Sequence, residues 1–450
     1  MRRCARGARR RELAALLRLG VPLAGANLAE LGMVVTDMAI VGRLGPVELA
    51  AVGLGGGILV DVTGVLMGVV TVVGVLVAEA HGAGDRARVA AVTWQSVAIA
   101  VVLSAAPTLL GLHLARLLAH AGQSPEVLVA AEAYLRGLVW FVVPAMVYTV
   151  LFDVLLALGR TRVVFLVSLG AVLLNAVTSW ALVFGIGGVG GIGVAGAGYA
   201  TSLVNVAMCA VALGYCLVAP DLACLLRPVD LRPQRRIWKD VFRVGTPVGG
   251  ITLAENGMFS VFAIAMGTFG SVALAASRIV FGYVKVTGAL AFALGDAAAI
   301  RVAHAVGAGE PARAHRAGFL ALAATAACLA PLAVVAVLQP DAIIAVFLGT
   351  LDEADRAVVP LASALLTLGA IYLVVSGLQT VGEHALRGLQ DTLAPMWISA
   401  FGLWGVGLLG GLALAFPLGH GPQGLWWGLC AGSTLTAALF ARRFTHRLRR

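Results

Sequence analysis

Eight ionisable side chains stand inside stretches that are otherwise apolar: Glu30, Asp37, Asp61, Asp153, Glu255, Lys285, Asp296 and Glu383. In a membrane interior each would cost about 2.5–3.5 kcal/mol on insertion scales, so each needs a reason to be there. Carboxylates in that setting bind protons or cations, and the two compete for the same oxygens. Asp37 follows Pro22 by fifteen residues (37 − 22). Proline removes a helical hydrogen bond and allows a kink or hinge, so the segment that carries Asp37 can change shape when its carboxyl changes charge. Glu255 follows Pro247 by eight residues (255 − 247), which sets a second carboxylate beside a second hinge candidate. Asn175 and Thr201 lie in later apolar segments. With Asp37 they would form a proton network or an oxygen-rich site for a hard cation, with Asp37 and Asn175 as metal ligands if the ion is Na⁺.

Glu30, Asp61, Glu255, Tyr283 and Lys285 are candidates for holding a substrate, with Trp140 as a further aromatic. Two carboxylates such as Glu30 and Glu255 suit an organic cation. Asp61 and Lys285 suit an ion pair that opens and closes, or one that stays shut, or no contact at all. Plain structural readings stand beside these: interhelical hydrogen bonds for Asn175 and Thr201, and a polar neighbour such as Asn256 for Glu255. Asp296, Glu383 and His384 fall near helix ends, where solvated faces or caps are expected. No GxSxG, HExxH or Walker A motif occurs, so neither a hydrolase nor an ATPase is indicated. Residues 188–193 (GVGGIG) fit GxGxxG, but they follow an apolar helix and no βαβ unit surrounds them. The six cysteines show no paired metal spacing and imply no disulfide framework.

The elements that must position these groups follow from composition. Of the 450 residues 60% are hydrophobic and 12% charged, with a mean hydropathy of +0.97. Soluble domains carry about 25% charged residues, so this is a polytopic membrane protein. A spanning helix needs about 20 apolar residues. Twelve such stretches are predicted: 13–42, 47–80, 89–114, 126–157, 163–185, 192–219, 239–268, 272–306, 314–338, 357–385, 392–416 and 421–445. The net charge of +10 suggests nucleic acid until its placement is considered. Of the 32 Lys and Arg, 26 fall in segments that would share one side of the membrane, which is the positive-inside pattern. Both termini are therefore expected in the cytoplasm, and the first apolar stretch is expected to be an uncleaved helix. The longest cytoplasmic link is 220–238, and the external link 339–356 has room for a short interfacial helix.

The first half of the chain returns as the second. GVPLAGANLAELGM (20–33) and GTPVGGITLAENGM (245–258) share eight of fourteen positions at a shift of 225 residues (245 − 20). The same shift relates VAEAHGAGDRAR (77–88) to VAHAVGAGEPAR (302–313), and it drifts to 231 between LGRT (158–161) and LQDT (389–392). It carries Glu30 onto Glu255. Six spans per half is an even number, so the two halves enter from the same side and are parallel rather than inverted repeats. The expected fold is an all-α membrane protein, twelve transmembrane helices as two pseudo-symmetric six-helix bundles around a central cleft. Its expected domains are 1–219, a linker 220–238, and 239–450.

The chain resembles the MATE (multidrug and toxic compound extrusion) transporters. The matching stretches are GVPL…TDMAIVGRLG (20–45), VAEAHGAGD (77–85), GIGVAGAGYATS (191–202), LAASRIVFGY (274–283), AAAIRVAHAVGAGE (297–310) and ALRGLQDT (385–392). The resemblance implies an antiporter that exports cationic drugs in exchange for H⁺ or Na⁺. It implies that Asp37 is the proton or cation site, beside Asn175 and Thr201, and that Glu255 is the helix-seven glutamate of one branch. Two departures remove anionic ligands. The family often has an acid where Ser179 stands, and the branch with the helix-seven glutamate often has an aspartate where Ser376 stands. Proton coupling is therefore expected over sodium.

The function expected is that of a secondary active antiporter working by alternating access in the inner membrane. It would need no cofactor beyond its coupling ion, and its partners would be small cationic or amphipathic molecules and the bilayer. No nucleic acid is expected as a partner, and a monomer is. The rival within the same superfamily is a flippase for lipid-linked or oligosaccharide precursors, whose cleft should be cationic to meet phosphates. An intramembrane enzyme or a non-transporting receptor are the more distant alternatives.

Overall fold

The computed structural model describes residues 2–186, 189–227, 232–348 and 357–449, with the backbone alone for 2–11, 186 and 189. Twelve helices among them are long and apolar enough to cross a membrane. We label them α1 (Glu12–Gly42), α2 (Pro46–Gly82), α3 (Arg86–His120), α4 (Pro125–Ala157), α5 (Thr161–Phe184) and α6 (Val194–Val218), then α7 (Arg235–Gly267), α8 (Ser271–Gly307), α9 (Pro311–Leu338), α10 (Val359–Gly388), α11 (Leu393–Ala415) and α12 (Gly421–Arg447). Every expected span is present. Most ends agree within about three residues; the first helix already begins at Arg2, ahead of the expected 13, and α3 runs on to His120 instead of 114, because polar residues such as Arg116 continue the helix past its apolar part.

Short helices fill two links. Pro220–Leu226 follows α6, and Pro340–Leu348 occupies the 339–356 link, in which a short helix was expected. Residues 228–231 and 349–356 of those links lie outside the described residues, as do 187–188 of the glycine run. The only strands among the described residues are Gly185–Ile186 and Val189–Gly190, a two-rung antiparallel ladder between α5 and α6. The spans are not uniform: α2 contains a π-helical turn at Val52–Gly56, and α11 contains a longer one at Phe401–Leu409.

The chain divides into two compact units, Gly25–Gly249 and Met1–Ala24 with Gly250–Arg450. The divisions fall inside helices, two residues after Pro22 in α1 and two after Pro247 in α7. They are repeat-equivalent (24 + 225 = 249), and neither lies in the 220–238 link. The start of α1 thus belongs with the second half, and the start of α7 with the first.

Glycines show why each helix changes partners there. Gly20 faces Leu294 of α8, whereas Gly25, just past Pro22, lies against the Phe165 ring of α5. In α7 the order is mirrored. A Cβ at Gly245 would strike the Val69 carbonyl of α2, while Gly250 lies against Met396 of α11.

Within the Gly25–Gly249 unit, α4 packs on α3 and α6, and α5 on α6. The α4–α6 crossing is close because Gly137 and Gly198 bring the backbones together, and the Ser202 hydroxyl donates to the Gly137 carbonyl at 2.7 Å. Gln95 and Trp238 fasten the α7 start, and Trp94 donates to the Leu226 carbonyl of the short helix before it. The Trp238 indole N–H donates to Gln95 Oε1 at 2.9 Å, and Gln95 Nε2 donates to the Arg232 carbonyl at 2.8 Å.

In the other unit α8 packs along α9 and α10, and α10 along α12. Phe262, Phe281, Tyr372 and Trp426 form an aromatic core, with the Phe281 and Trp426 rings 4.6 Å apart. Here the α1 start is fastened by charge. Arg301 gives Glu12 a bidentate pair, two hydrogen bonds of 2.9 Å each, and Arg313 stands 3.6 Å from the same carboxylate. Large apolar side chains such as Val35, Leu173, Ile264 and Trp397 are exposed on both units, as lipid-facing surfaces require.

Candidate functional site

α1 enters its last two turns with Asp37, and α5 and α6 supply what meets it. Asn175 and Ser179 are four residues apart on α5 and so project from one face, one turn above the other. Thr201 comes two turns into α6. The Asp37 carboxylate accepts from all three. Ser179 Oγ donates to Oδ1 at 2.8 Å, Asn175 Nδ2 to Oδ1 at 3.1 Å, and Thr201 Oγ1 to Oδ2 at 3.3 Å. Asn175 and Ser179 are buried, whereas Asp37 is only half-buried. Arg43 holds the end of α1 against α5, its guanidinium 5.3 Å from the Trp180 ring centre.

No cation pairs with Asp37 among the described residues, and no group of three or more His, Cys, Asp and Glu that could hold a metal is found there. Among the described residues the carboxylate is held by neutral donors alone. Two are hydroxyls, which can turn from donor to acceptor, so the set can satisfy either protonation state of Asp37. The third, Asn175, keeps its Oδ1 buried and without a hydrogen-bond partner. That oxygen is a ready acceptor for a proton or a cation beside Asp37.

Three of the sequence candidates, Asp37, Asn175 and Thr201, therefore come together. Ser179 joins them although its identity counts, by resemblance, as a lost ligand; its i+4 spacing from Asn175 was the available signal. Glu30 and Asp61 belong to the same unit, and both are exposed. Glu255, Tyr283 and Lys285 belong to the other. Glu255 is half-buried on α7, and Lys285 is exposed on α8. Tyr283 spends its hydroxyl on the Leu332 carbonyl of α9 at 2.6 Å. Trp140 is exposed in the short 3₁₀ turn Val139–Phe141 of α4. Pro22 and Pro247 sit within helices that continue through them.

The expectation for Asp296, Glu383 and His384 is corrected. Asp296 and His384 do not form a solvated face, and Glu383 beside them is half-buried. Asp296 Oδ1 takes Arg387 Nη2 at 2.7 Å and stands 3.3 Å from His384 Nε2, and both His384 and Arg387 are buried. In this largely buried setting the opposite charges satisfy each other. In the first half Asp153 is likewise buried and accepts from Thr71 at 2.7 Å.

Fold and repeat define a polytopic, all-helical membrane protein of the transporter class. The MatE family profile matches the chain twice, over residues 22–181 and 247–412. The starts are 225 residues apart (247 − 22) and the ends 231 (412 − 181), the two registers of the internal repeat. The chain belongs to the MatE family. It is 36% identical over 430 residues to the multidrug resistance protein NorM of Burkholderia vietnamiensis, covering 95% of this chain and 92% of that protein. Among solved structures, a MOP superfamily transporter from Pyrococcus furiosus superposes with a TM-score of 0.90 at 20% identity, over 97% of this chain and 96% of that one. A MATE protein described as being in the bent conformation superposes with a TM-score of 0.88 at 19% identity, over 97% and 95%.

Proposed function

We propose that this chain is a secondary antiporter of the bacterial inner membrane that exports drugs and other organic cations in exchange for protons, by alternating access. Export of drugs rests on the relatives named as multidrug resistance proteins. Proton coupling rests on one observation, the Asp37 carboxylate held by neutral donors alone. On proton uptake one Asp37 oxygen turns from acceptor to donor, and the hydroxyl facing it, Ser179 on Oδ1 or Thr201 on Oδ2, reverses to receive it. The contacts between α1 and the α5–α6 pair then change. Pro22 lets α1 bend in response, and Pro247 gives α7 the same freedom. Glu255 holds the cationic substrate, and protonation of Glu255 releases it; Glu30, Asp61, Tyr283 and Lys285 are the further candidate substrate contacts. The positive-inside distribution sets both termini in the cytoplasm, and the working unit is a monomer.

A second reading has its own observation. The unpartnered Asn175 Oδ1, with Asp37, Ser179 and Thr201, offers oxygen ligands to Na⁺. The flippase alternative is kept in view because the Pyrococcus furiosus structure is described as having a pocket of reversed polarity that suggests a different function. Fold alone therefore does not fix the cargo. In this chain acids outnumber bases among the candidates, which favours cations.

The test is uptake of a fluorescent organic cation by inside-out vesicles, first under a proton gradient and then under a sodium gradient alone. Uptake should require the proton gradient, ignore sodium, and vanish in Asp37→Asn and Glu255→Gln with both variants still inserted. Uptake driven by sodium alone would replace the proton reading with the sodium one. Undiminished uptake by Asp37→Asn would remove Asp37 from the mechanism.

A further inference from the structure

One end of the Gly25–Gly249 unit, where α2 and α6 finish and α3 and α7 begin, holds a cavity of about 770 Å³. Four arginines line it: Arg86 and Arg88 from the start of α3, Arg227 after the short helix that follows α6, and Arg236 from the start of α7. Asp85 and Asp240 also line it, so the charge of the lining is +2 (4 − 2). Part of this charge is already engaged. Asp85 Oδ1 caps α3 by accepting the Arg88 backbone N–H at 2.9 Å, and the Arg88 guanidinium stands 3.8 Å from Glu79. Arg227 donates to the Leu217 carbonyl at 3.2 Å. Among the described residues Arg86 and Arg236 have no ion-pair partner. Apolar side chains, Leu225 and Ile237 among them, complete the wall.

The internal repeat says what is missing. Arg88 corresponds to Arg313 (88 + 225), and Ile237 to Glu12 (12 + 225). In the second half Glu12 is the buried carboxylate that Arg301 and Arg313 share. In the first half an isoleucine stands in its place, the arginines lack that carboxylate, and a cavity opens beside them. One copy carries its own anion and the other is built to receive one.

We propose that this cavity binds a net-negative phosphate group, supplied by the headgroup of an anionic phospholipid or by a free phosphate. Guanidinium groups hold phosphate oxygens in bidentate pairs. The cavity lies where spanning helices end, the level of lipid headgroups, and basic pockets at that level take anionic lipids. Its size is that of a pocket for a molecule of several heavy groups rather than one ion, and Leu225 and Ile237 suit the glycerol and first acyl carbons.

The experiment measures binding of dihexanoyl-phosphatidylglycerol, dihexanoyl-phosphatidylcholine and inorganic phosphate to the full chain in detergent. Phosphatidylglycerol should bind, and phosphatidylcholine at least tenfold more weakly. Arg86→Gln with Arg236→Gln, both exposed positions, should weaken phosphatidylglycerol at least tenfold. Ile237→Glu, which installs the carboxylate of the other half, should do the same without removing an arginine, and Arg442→Gln at a remote exposed site should not. Full competition by inorganic phosphate assigns the site to the free anion; failure to compete assigns it to the lipid. Equal binding of both lipids, unchanged binding by the double variant, or no binding of phosphatidylglycerol or phosphate would overturn the proposal.

Discussion

The Thr71 hydroxyl donates to Asp153 Oδ2 at 2.7 Å and ties α2 to α4. The repeat carries Thr71 onto Asp296 (71 + 225) and Asp153 onto His384 (153 + 231), and that pair meets at 3.3 Å between α8 and α10. The crossing is polar in both halves, but the acid has moved to the other helix and gained Arg387. A position kept polar through such an exchange of partners serves to lock a helix pair that apolar packing alone would let slide.

Thr71→Val keeps the shape and removes the donor, so it should destabilise by about 1–2 kcal/mol. Arg387→Met breaks a buried charge pair and should cost more, about 3 kcal/mol or above. Thermal unfolding in detergent checks both, and equal midpoints for the two variants and the parent would refute the locking role.

Ser179 is the position at which the ion can be exchanged. Ser179→Asp sets a second carboxylate against Asp37, where Ser179 Oγ now stands at 2.8 Å. Added anionic ligands raise affinity for hard cations. Uptake of the fluorescent cation by the Ser179→Asp variant should rise about tenfold on imposing a sodium gradient, and the parent should not respond. A variant as indifferent to sodium as the parent would show that the cluster cannot be completed into a cation site.

Pro22 and Pro247 each precede a unit division by two residues. Pro22→Ala and Pro247→Ala restore a helical hydrogen bond, and an interior proline costs a helix about 3 kcal/mol relative to alanine. Each variant should be at least as stable as the parent and should export severalfold more slowly, because the helix no longer bends cheaply. Full export rates from both would separate the prolines from the cycle.

Asp391, in the turn between α10 and α11, accepts from Arg443 at 2.7 and 2.9 Å and from Arg447 at 2.8 Å. Burial pushes its carboxyl up, but the two guanidinium groups outweigh that and hold it below the usual carboxylate range. A depressed folded value stabilises above the unfolded value of about 3.9 and loses that contribution as pH falls through the folded one. The arginine side chains are 34% and 48% exposed, so solvent screens the pair, and Asp391→Asn should cost only about 1–3 kcal/mol at pH 7. The difference between parent and variant should shrink below about pH 4. A difference independent of pH would mean that the charge of Asp391 does not matter.

The number of spans, their limits and the twofold repeat were all legible in the sequence. Uninterrupted apolar length and charge placement are properties of the chain alone, and a membrane leaves helices few other arrangements. Asp37 was legible too, since a charge inside an apolar run is conspicuous wherever it packs. Which side chains meet was decided by the tertiary structure. α5 and α6 are apolar on most faces, so periodicity does not fix their rotation, and nothing local announces that Ser179 will share Asp37 Oδ1 with Asn175. The pairing of Asp296 with His384 and Arg387 depends on how α8 and α10 cross, nearly ninety residues apart in the chain (384 − 296 = 88). The exchange of the α1 and α7 starts between units was equally hidden, because Gly20, Gly25, Gly245 and Gly250 acquire meaning only from the backbones and rings set against them. Close approach between helices is a property of pairs of surfaces, and a sequence shows only one surface at a time.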